Sequence, residues 1–164
     1  MNLDESSALD ADRVMAEMMG RLRLLLGTWK GKGQGNFPTI DAFEYDEHLT
    51  FEANDVEPLL HYEQRTWDTT QRSDHDQPLH WESGFVRPTD TGCVELCNAP
   101  NGGRVEVLRG RLSAPDDCGD TPLMSLTSVV MAHDERIIST TRQYHLRDEC
   151  LRAEWKWQRE RHRN

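Results

Sequence analysis

The sequence predicts an all-β fold, an antiparallel up-and-down β-barrel of about nine to ten strands with a short N-terminal helix. Two observations lead to this prediction. Apolar and polar residues alternate with a period of two along many short segments, as in half-buried strands. These segments recur about every 10 to 17 residues and are joined by polar turns, with no helical pattern between them, which is typical of an antiparallel meander. A barrel closes the exposed edges of such a meander, and its interior is filled by side chains or holds one small ligand.

The chain has 164 residues, which is enough for a single domain with one core. Within this domain, residues 1–9 are expected to be mobile, 10–26 to form the helix, 27–158 to form the barrel, and 159–164 to be a basic tail. Asp10 is the predicted N-cap of the helix. Apolar residues then recur at intervals of three and four and form a stripe that we expect to lie across a barrel mouth. The stripe consists of Val14, Met15, Met18, Leu22 and Leu25.

The segment 27–40, GTWKGKGQGNFPTI, is the predicted first strand of the barrel. Glycines alternate with charged or polar residues, so one face of the strand carries almost no side chains. Such a strand curls tightly or allows another backbone to approach closely. Trp29 is the large apolar side chain in this segment, and we expect it to plug one end of the barrel.

The other predicted strands follow in order along the chain. The polar run 68–77 between two of them is interpreted as an exposed loop. Within it, His75 lies between Asp74 and Asp76, which we interpret as a solvated acidic turn rather than a metal site. The remaining strands are predicted over residues 43–51, 59–67, 79–87, 93–98, 104–112, 123–131, 137–144 and 151–158.

Composition limits the classes of partner. The net charge of -10 argues against general binding to nucleic acid, which usually requires a basic surface. No apolar run approaches the roughly 20 residues that cross a bilayer, so no membrane partner is expected. Residues 1–10 lack the features of a signal peptide. The cysteines include no CxxC pair, and we expect reduced thiols and a cytoplasmic location. They are Cys93, Cys97, Cys118 and Cys150.

No catalytic motif of high specificity occurs in the sequence. The string GKGQG is not followed by the residues or the helix of a phosphate-binding loop. His80 is of greater interest, because it lies in a predicted strand with Leu79 and Trp81 on the opposite face. Two interpretations are open: a partly buried, hydrogen-bonded histidine, or a polar group that points into the barrel cavity.

Several segments together resemble the nitrobindin family, the haem-binding β-barrels that also form the C-terminal part of some THAP-type proteins. The segments are GTWKGKGQGNFPTI, FEYDEHLTF, YEQRTW, PLHWESGFVR and VEL. The resemblance covers residues 22–157. GxW alone is shared with lipocalins and fatty-acid-binding proteins, but the combined set is specific. The matching positions are Gly27, Trp29, Gly31, Gly33, Pro38, Thr39, Ile40, Pro78, Leu79, His80, Glu82, Ser83 and Gly84.

The resemblance implies a ten-stranded barrel, often a homodimer, that holds ferric haem b in a pocket reached by solvent. Members bind nitric oxide and are credited with isomerising peroxynitrite to nitrate. Carried over to this sequence, Thr39 is expected near the haem, and Leu79 and His80 on its distal side.

The C-terminus departs from the family pattern, in which a histidine in a strand of the form HLxAxLxR is the proximal iron ligand. Two placements are open. Residues 144–157 match the family's penultimate strand, so that the chain stops before the ligand strand, or Cys150 takes the place of the ligand. Neither supplies a proximal histidine, and His162 is expected to lie in the free basic tail.

Three functions therefore remain open. The first is a binding protein for haem b or another flat apolar ligand, with the family's chemistry weakened or absent. The second is an enzyme that isomerises peroxynitrite through a substitute ligand such as Cys150. The third is a haem-free, lipocalin-like carrier of a small hydrophobic molecule.

Overall fold

The computed structural model describes residues 3–37, 40–54, 56–69, 78–89, 91–114 and 120–159. It contains one helix, α1 (Leu3–Leu22), which continues into a short 3-10 turn (Arg23–Leu25). Nine strands follow: β1 (Gly27–Phe37), β2 (Ile40–Ala53), β3 (Leu60–Asp68), β4 (His80–Pro88), β5 (Val94–Pro100), β6 (Val105–Leu112), β7 (Met124–Ala132), β8 (Ile137–Arg147) and β9 (Cys150–Arg159).

The predicted fold class is confirmed. Each strand pairs antiparallel with its neighbour in sequence, from β1 to β9, and the single sheet curls into a nearly closed barrel. In the part of the chain that the structure describes, β1 and β9 do not pair with each other. The barrel therefore has two edge strands next to a seam.

The predicted start of the helix was wrong. The helix begins at Leu3, so it includes most of the segment 1–9 that we expected to be mobile, and Asp10 is not its N-cap. Asp10 instead lies within the helix, 3.4 Å from Arg13 in an exposed ion pair. Residues 3–9 contain no glycine or proline, so nothing in them stops the helix from extending toward the N-terminus. No helix of the described residues is long and apolar enough to cross a membrane.

The apolar core lies at the barrel end that α1 covers. Met18, Met19, Leu22 and Leu25 pack there against inward-facing strand residues, and the Phe51 ring lies 5.4 Å from Tyr62 and 6.1 Å from Tyr144. Trp29 packs against this core, and its indole Nε1 donates a hydrogen bond of 2.7 Å to the carbonyl of Leu25. This bond ties β1 to the end of the helical segment, in agreement with the predicted plug.

The glycines of β1 make room for aromatic rings of β2. Gly33 pairs with Tyr45 and Gly35 pairs with Phe43. A Cβ atom at either glycine would overlap the ring of its partner, so each ring lies directly over the glycine backbone. The groups that come close to these glycines are therefore side-chain rings and not the backbone that the alternating glycines led us to expect.

Candidate functional site

The sheet register determines which side chains face the barrel interior. Directly paired residues share one face of a sheet, so the buried Gln64 and Glu82, which are paired, lie in one inward row. His80 pairs with Thr66, and Thr66 pairs with Glu47. These three residues form the next inward row, on the side away from the α1 end.

A buried ion network crosses the interior at this level. Arg142 from β8 is the central group, and its guanidinium donates to Glu82 of β4 and to Glu106 of β6. The exposed fraction is 3% for Arg142, 2% for Glu82 and 0% for Glu106. Buried charges of this kind are tolerated because each one has a partner of opposite sign and further hydrogen bonds.

Neutral side chains also donate hydrogen bonds to the two carboxylates. The Tyr62 hydroxyl and the Asn98 amide, the latter at 2.8 Å, donate to Glu82. The Thr140 hydroxyl donates to Glu106 at 2.9 Å. Gln64 extends the network toward the seam by donating to Glu47 on β2. The network therefore joins strands from β2 to β8.

Burial and charge act in opposite directions on these groups. Burial alone would raise the pKa of Glu82, but the Arg142 charge and hydrogen bonds from His80 and Arg142 lower it well below its ordinary value. Burial also raises the pKa of Glu47, where no cation compensates to the same extent. The interior thus holds one carboxylate that is fixed as the anion and a second that protonates more readily.

His80 lies between the ion network and the barrel end opposite α1, which we call the open end. Its Nε2 lies 3.2 Å from Oε2 of Glu82, and its side chain is 34% exposed. The histidines His48, His61 and His145 occupy outward positions of their strands, and His133 lies in a turn. His80 is therefore the only inward-facing histidine among the described residues.

Aromatic side chains line the open end beside the seam. Phe43 and Tyr45 come from β2, with ring centroids 6.1 Å apart. Trp155 and Trp157 of β9 pair with the inward-facing Arg142 and Thr140, so they share the inward face. The indole Nε1 of Trp155 is buried and has no hydrogen-bond partner among the described residues. This part of the interior combines apolar ring surface with one unused donor.

The residues that we predicted for the cofactor site have different outcomes. Thr39 lies outside the described residues, as does His75. His80 is the one that the structure places in the polar network. Leu79 lies just before β4 and its side chain is 56% exposed. Cys150 is exposed, pairs with Arg147 beside the β8–β9 turn, and faces outward, so the structure does not bring its thiol near His80.

The sequence interpretation missed Arg142 and Glu106. Both are charged residues in phase with buried neighbours of the same strand, Arg142 with Tyr144 and Glu106 with Leu108. A charged residue at a position that alternation assigns to the buried face was the available signal. This signal does not identify the residue with which the charge pairs. No group of three or more histidine, cysteine, aspartate or glutamate side chains suited to a metal ion occurs in the described part of the chain.

Comparison with known proteins agrees with this architecture. A family model described as a THAP4-like, heme-binding beta-barrel domain matches residues 18–163. The protein named peroxynitrite isomerase Rv2717c of Arabidopsis thaliana is 33% identical over 127 residues, which cover 77% of this chain and 70% of that protein. Peroxynitrite isomerase 1 of Mycobacterium tuberculosis is 41% identical over 105 residues, 64% of this chain and 61% of that protein. The chain thus spans about two thirds of the length of these relatives.

A solved structure is similar over a larger share of both chains. The crystal structure of Rv2717c from M. tuberculosis superposes with a TM-score of 0.70 at 29% sequence identity, and the match covers 87% of each chain. Because the family model matches nearly the whole chain and the barrel is shared, the chain belongs to the THAP4-like haem-binding β-barrel family, the nitrobindin family.

Proposed function

We propose that this barrel binds ferric haem b, or a similarly flat apolar ligand, at its open end, and that the family's chemistry on nitric oxide and peroxynitrite is weakened or lost because none of the described residues supplies a proximal histidine. The observation that carries the proposal is the position of His80. It faces inward beside a fixed carboxylate, at the end of the interior that aromatic rings line.

The lining of the open end fits the faces of a planar macrocycle. Phe43, Tyr45 and Trp155 present ring surface beside the seam, and Trp157 adds a ring over which the Arg104 guanidinium lies, 5.8 Å from the ring centroid. Burial of apolar surface contributes about 25 cal/mol per Å², so a flat ligand would be retained there even without a bond to a metal. The buried, unpartnered Nε1 of Trp155 is a donor suited to a polar substituent of such a ligand.

Few inward-facing side chains could coordinate a haem iron. When bound, ferric haem would supply an iron centre able to coordinate nitric oxide or peroxynitrite, but it needs a protein ligand to hold and tune it. Tyr45 faces inward, yet burial and the nearby Glu47 raise the pKa of its phenol to about 12, so it is neutral and a poor anionic ligand. Cys150 faces outward. His80 is thus the best inward-facing iron ligand among the described residues, and it lies on the side expected to be distal.

Titration of the purified protein with hemin tests the proposal through the Soret band. We expect a shifted band that saturates at micromolar hemin and that changes on His80→Ala substitution. Cys150→Ala and the outward His61→Ala are matched controls that should leave the band unchanged. Absence of any Soret shift up to tens of micromolar would overturn haem binding, and native mass spectrometry of the isolated protein would then seek a different small ligand.

The rate of peroxynitrite decay separates a binding protein from an enzyme. We expect hemin-loaded protein to accelerate the decay little beyond free hemin, because no described histidine other than His80 faces the interior to tune the iron. A strong acceleration that yields nitrate would contradict the proposed loss of activity. Its disappearance in Cys150→Ala would then support the substitute-ligand function.

A further inference from the structure

The His80 ring has two nitrogens in different surroundings. Nε2 lies 3.2 Å from Oε2 of Glu82. Nδ1 has no hydrogen-bond partner among the described residues. The two nitrogens of an imidazole point in divergent directions, so a ring whose Nε2 is directed at Glu82 turns its Nδ1 away from that carboxylate.

Glu82 can only accept from His80. Its two oxygens already receive hydrogen bonds from Arg142, and Tyr62 and Asn98 add one each. A carboxylate held by a buried guanidinium and by two neutral donors is ionised and offers lone pairs but no proton. The proton between His80 and Glu82 therefore belongs to the histidine.

We propose that Glu82 is a positioning residue that accepts a hydrogen bond from Nε2–H of His80 and so, in the neutral imidazole, leaves Nδ1 as a bare acceptor for the ligand. A carboxylate that fixes the orientation and tautomer of a histidine in this way is a general device of protein sites. The identity of the ligand group that binds Nδ1 rests on the proposed function, whereas the tautomer of His80 does not.

Three charged groups lie around His80. Glu82 lies on the same strand, Glu47 lies in the same inward row on β2, and Arg142 approaches Glu82 from β8. Arg142 donates to Oε2 of Glu82, the same oxygen that Nε2 of His80 faces, so this oxygen is an acceptor and Nε2 is the donor. The class of ligand group follows: Nδ1 would accept a hydrogen bond from a hydroxyl or an N–H, and it would not donate to an anionic oxygen.

Nitrogen NMR of the ligand-free protein tests the tautomer without haem. With ¹⁵N-labelled histidine at roughly pH 8, where an ordinary imidazole is neutral, we expect one tautomer for His80. It should show a bare Nδ1 and an Nε2–H signal protected from exchange with water. His80→Ala should remove this signal and thereby assign it. His61→Ala, at an outward position, should leave it unchanged.

Two variants of Glu82 separate positioning from simple folding. Glu82→Gln can present an amide N–H to His80, and Glu82→Asp keeps the charge for Arg142 but withdraws the oxygens from the ring. We expect loss of the protected Nε2–H signal in both. If Glu82→Gln does not fold, the result for Glu82→Asp alone tests the proposal. An Nδ1–H tautomer or an averaged mixture in the parent protein would overturn the proposal, as would a signal unchanged in Glu82→Asp. Failure to bind hemin, in contrast, would refute only the proposed function.

Discussion

Arg142 is the residue on which the interior charge balance depends. It pairs with both Glu82 and Glu106, and a second cation, Arg104, has its Nε 3.8 Å from Glu106. Removal of one member of a buried ion pair is costly because it leaves the remaining charge without a partner and away from water. The network is thus a point of high sensitivity to substitution.

We expect Arg142→Met to lower the free energy of unfolding by about 3–5 kcal/mol at neutral pH, because two buried carboxylates lose their shared partner. Urea unfolding measures this change. Arg136→Met is the matched control, because Arg136 forms an exposed pair with Asp134 that contributes only about 0–1 kcal/mol. A loss for Arg142→Met no larger than for the control would contradict a stabilising role of the network.

The lowered pKa of Glu82 predicts that the free energy of unfolding falls at acid pH. Its pKa is lowered in the folded state, so the unfolded chain binds the proton more readily. The stability that Glu82 contributes is therefore fully present above its ordinary pKa of 4.5 and is lost as the pH falls below that value. Urea midpoints of the parent protein should decline in this range. The decline should be smaller in Glu82→Gln, and equal slopes would refute this assignment.

At the residue scale, alternation predicted that His80 lies on the face of its strand opposite Leu79 and Trp81, but it did not predict that this face points inward. The apolar side chains of the opposite face are exposed, which reverses the usual arrangement. The ion network was not within reach of the sequence. Glu82 and Arg142 are 60 residues apart, and only the closing of the sheet brings β4 and β8 to opposite walls of one interior. Alternation assigns a face to a residue but does not identify what lies across the barrel.

At the element scale, β1 and β2 form one composite wall. The bare face of β1 is filled by rings that its neighbour contributes, at Gly33 and Gly35. Covering strand glycines with cross-strand aromatic rings keeps such a segment ordered. The glycine pattern predicted a close approach, but it did not identify the rings, because the pairing register is not visible in a single strand.

We expect Gly33→Ala to destabilise the barrel by about 1–3 kcal/mol, because the new methyl group overlaps the Tyr45 ring and must displace it. Gly31→Ala is the matched control on the same face, since nothing lies within 4 Å of its added Cβ. Chemical unfolding compares the two variants. In a Tyr45→Ala background the cost of Gly33→Ala should shrink, and an unchanged cost would show that the strain lies elsewhere.

The helix shows where element prediction was limited. Its apolar stripe was predicted correctly in part, since Met18, Leu22 and Leu25 are buried. Its start was not, because the segment before Asp10 has neither an apolar stripe nor a breaker and therefore gave no signal in either direction. Packing specifies the C-terminal half of α1, whereas backbone propensity alone extends its N-terminal half.

At the scale of the whole molecule, the seam between β1 and β9 distinguishes this barrel from a closed one. We expect amides of these edge strands that lack a partner to exchange with deuterium faster than those of β4, β5 and β6, which are paired on both sides. Mass spectrometry of exchanged peptides measures the difference. Equal protection of the edges would indicate that further chain or a second copy covers them. The homodimer implied by the family resemblance and the cytoplasmic location expected from the N-terminal residues and the cysteines stay predictions.

The ion network also limits how far a ligand can enter the barrel. Its members lie across the barrel between the aromatic open end and the apolar core under α1, and they are nearly inaccessible to water. A long alkyl tail threaded toward that core would have to part fixed charges from their partners, which costs more than burial of a few methylene groups returns. The barrel should therefore reject long-chain fatty acids and accept compact, disc-shaped molecules that end above the charged layer.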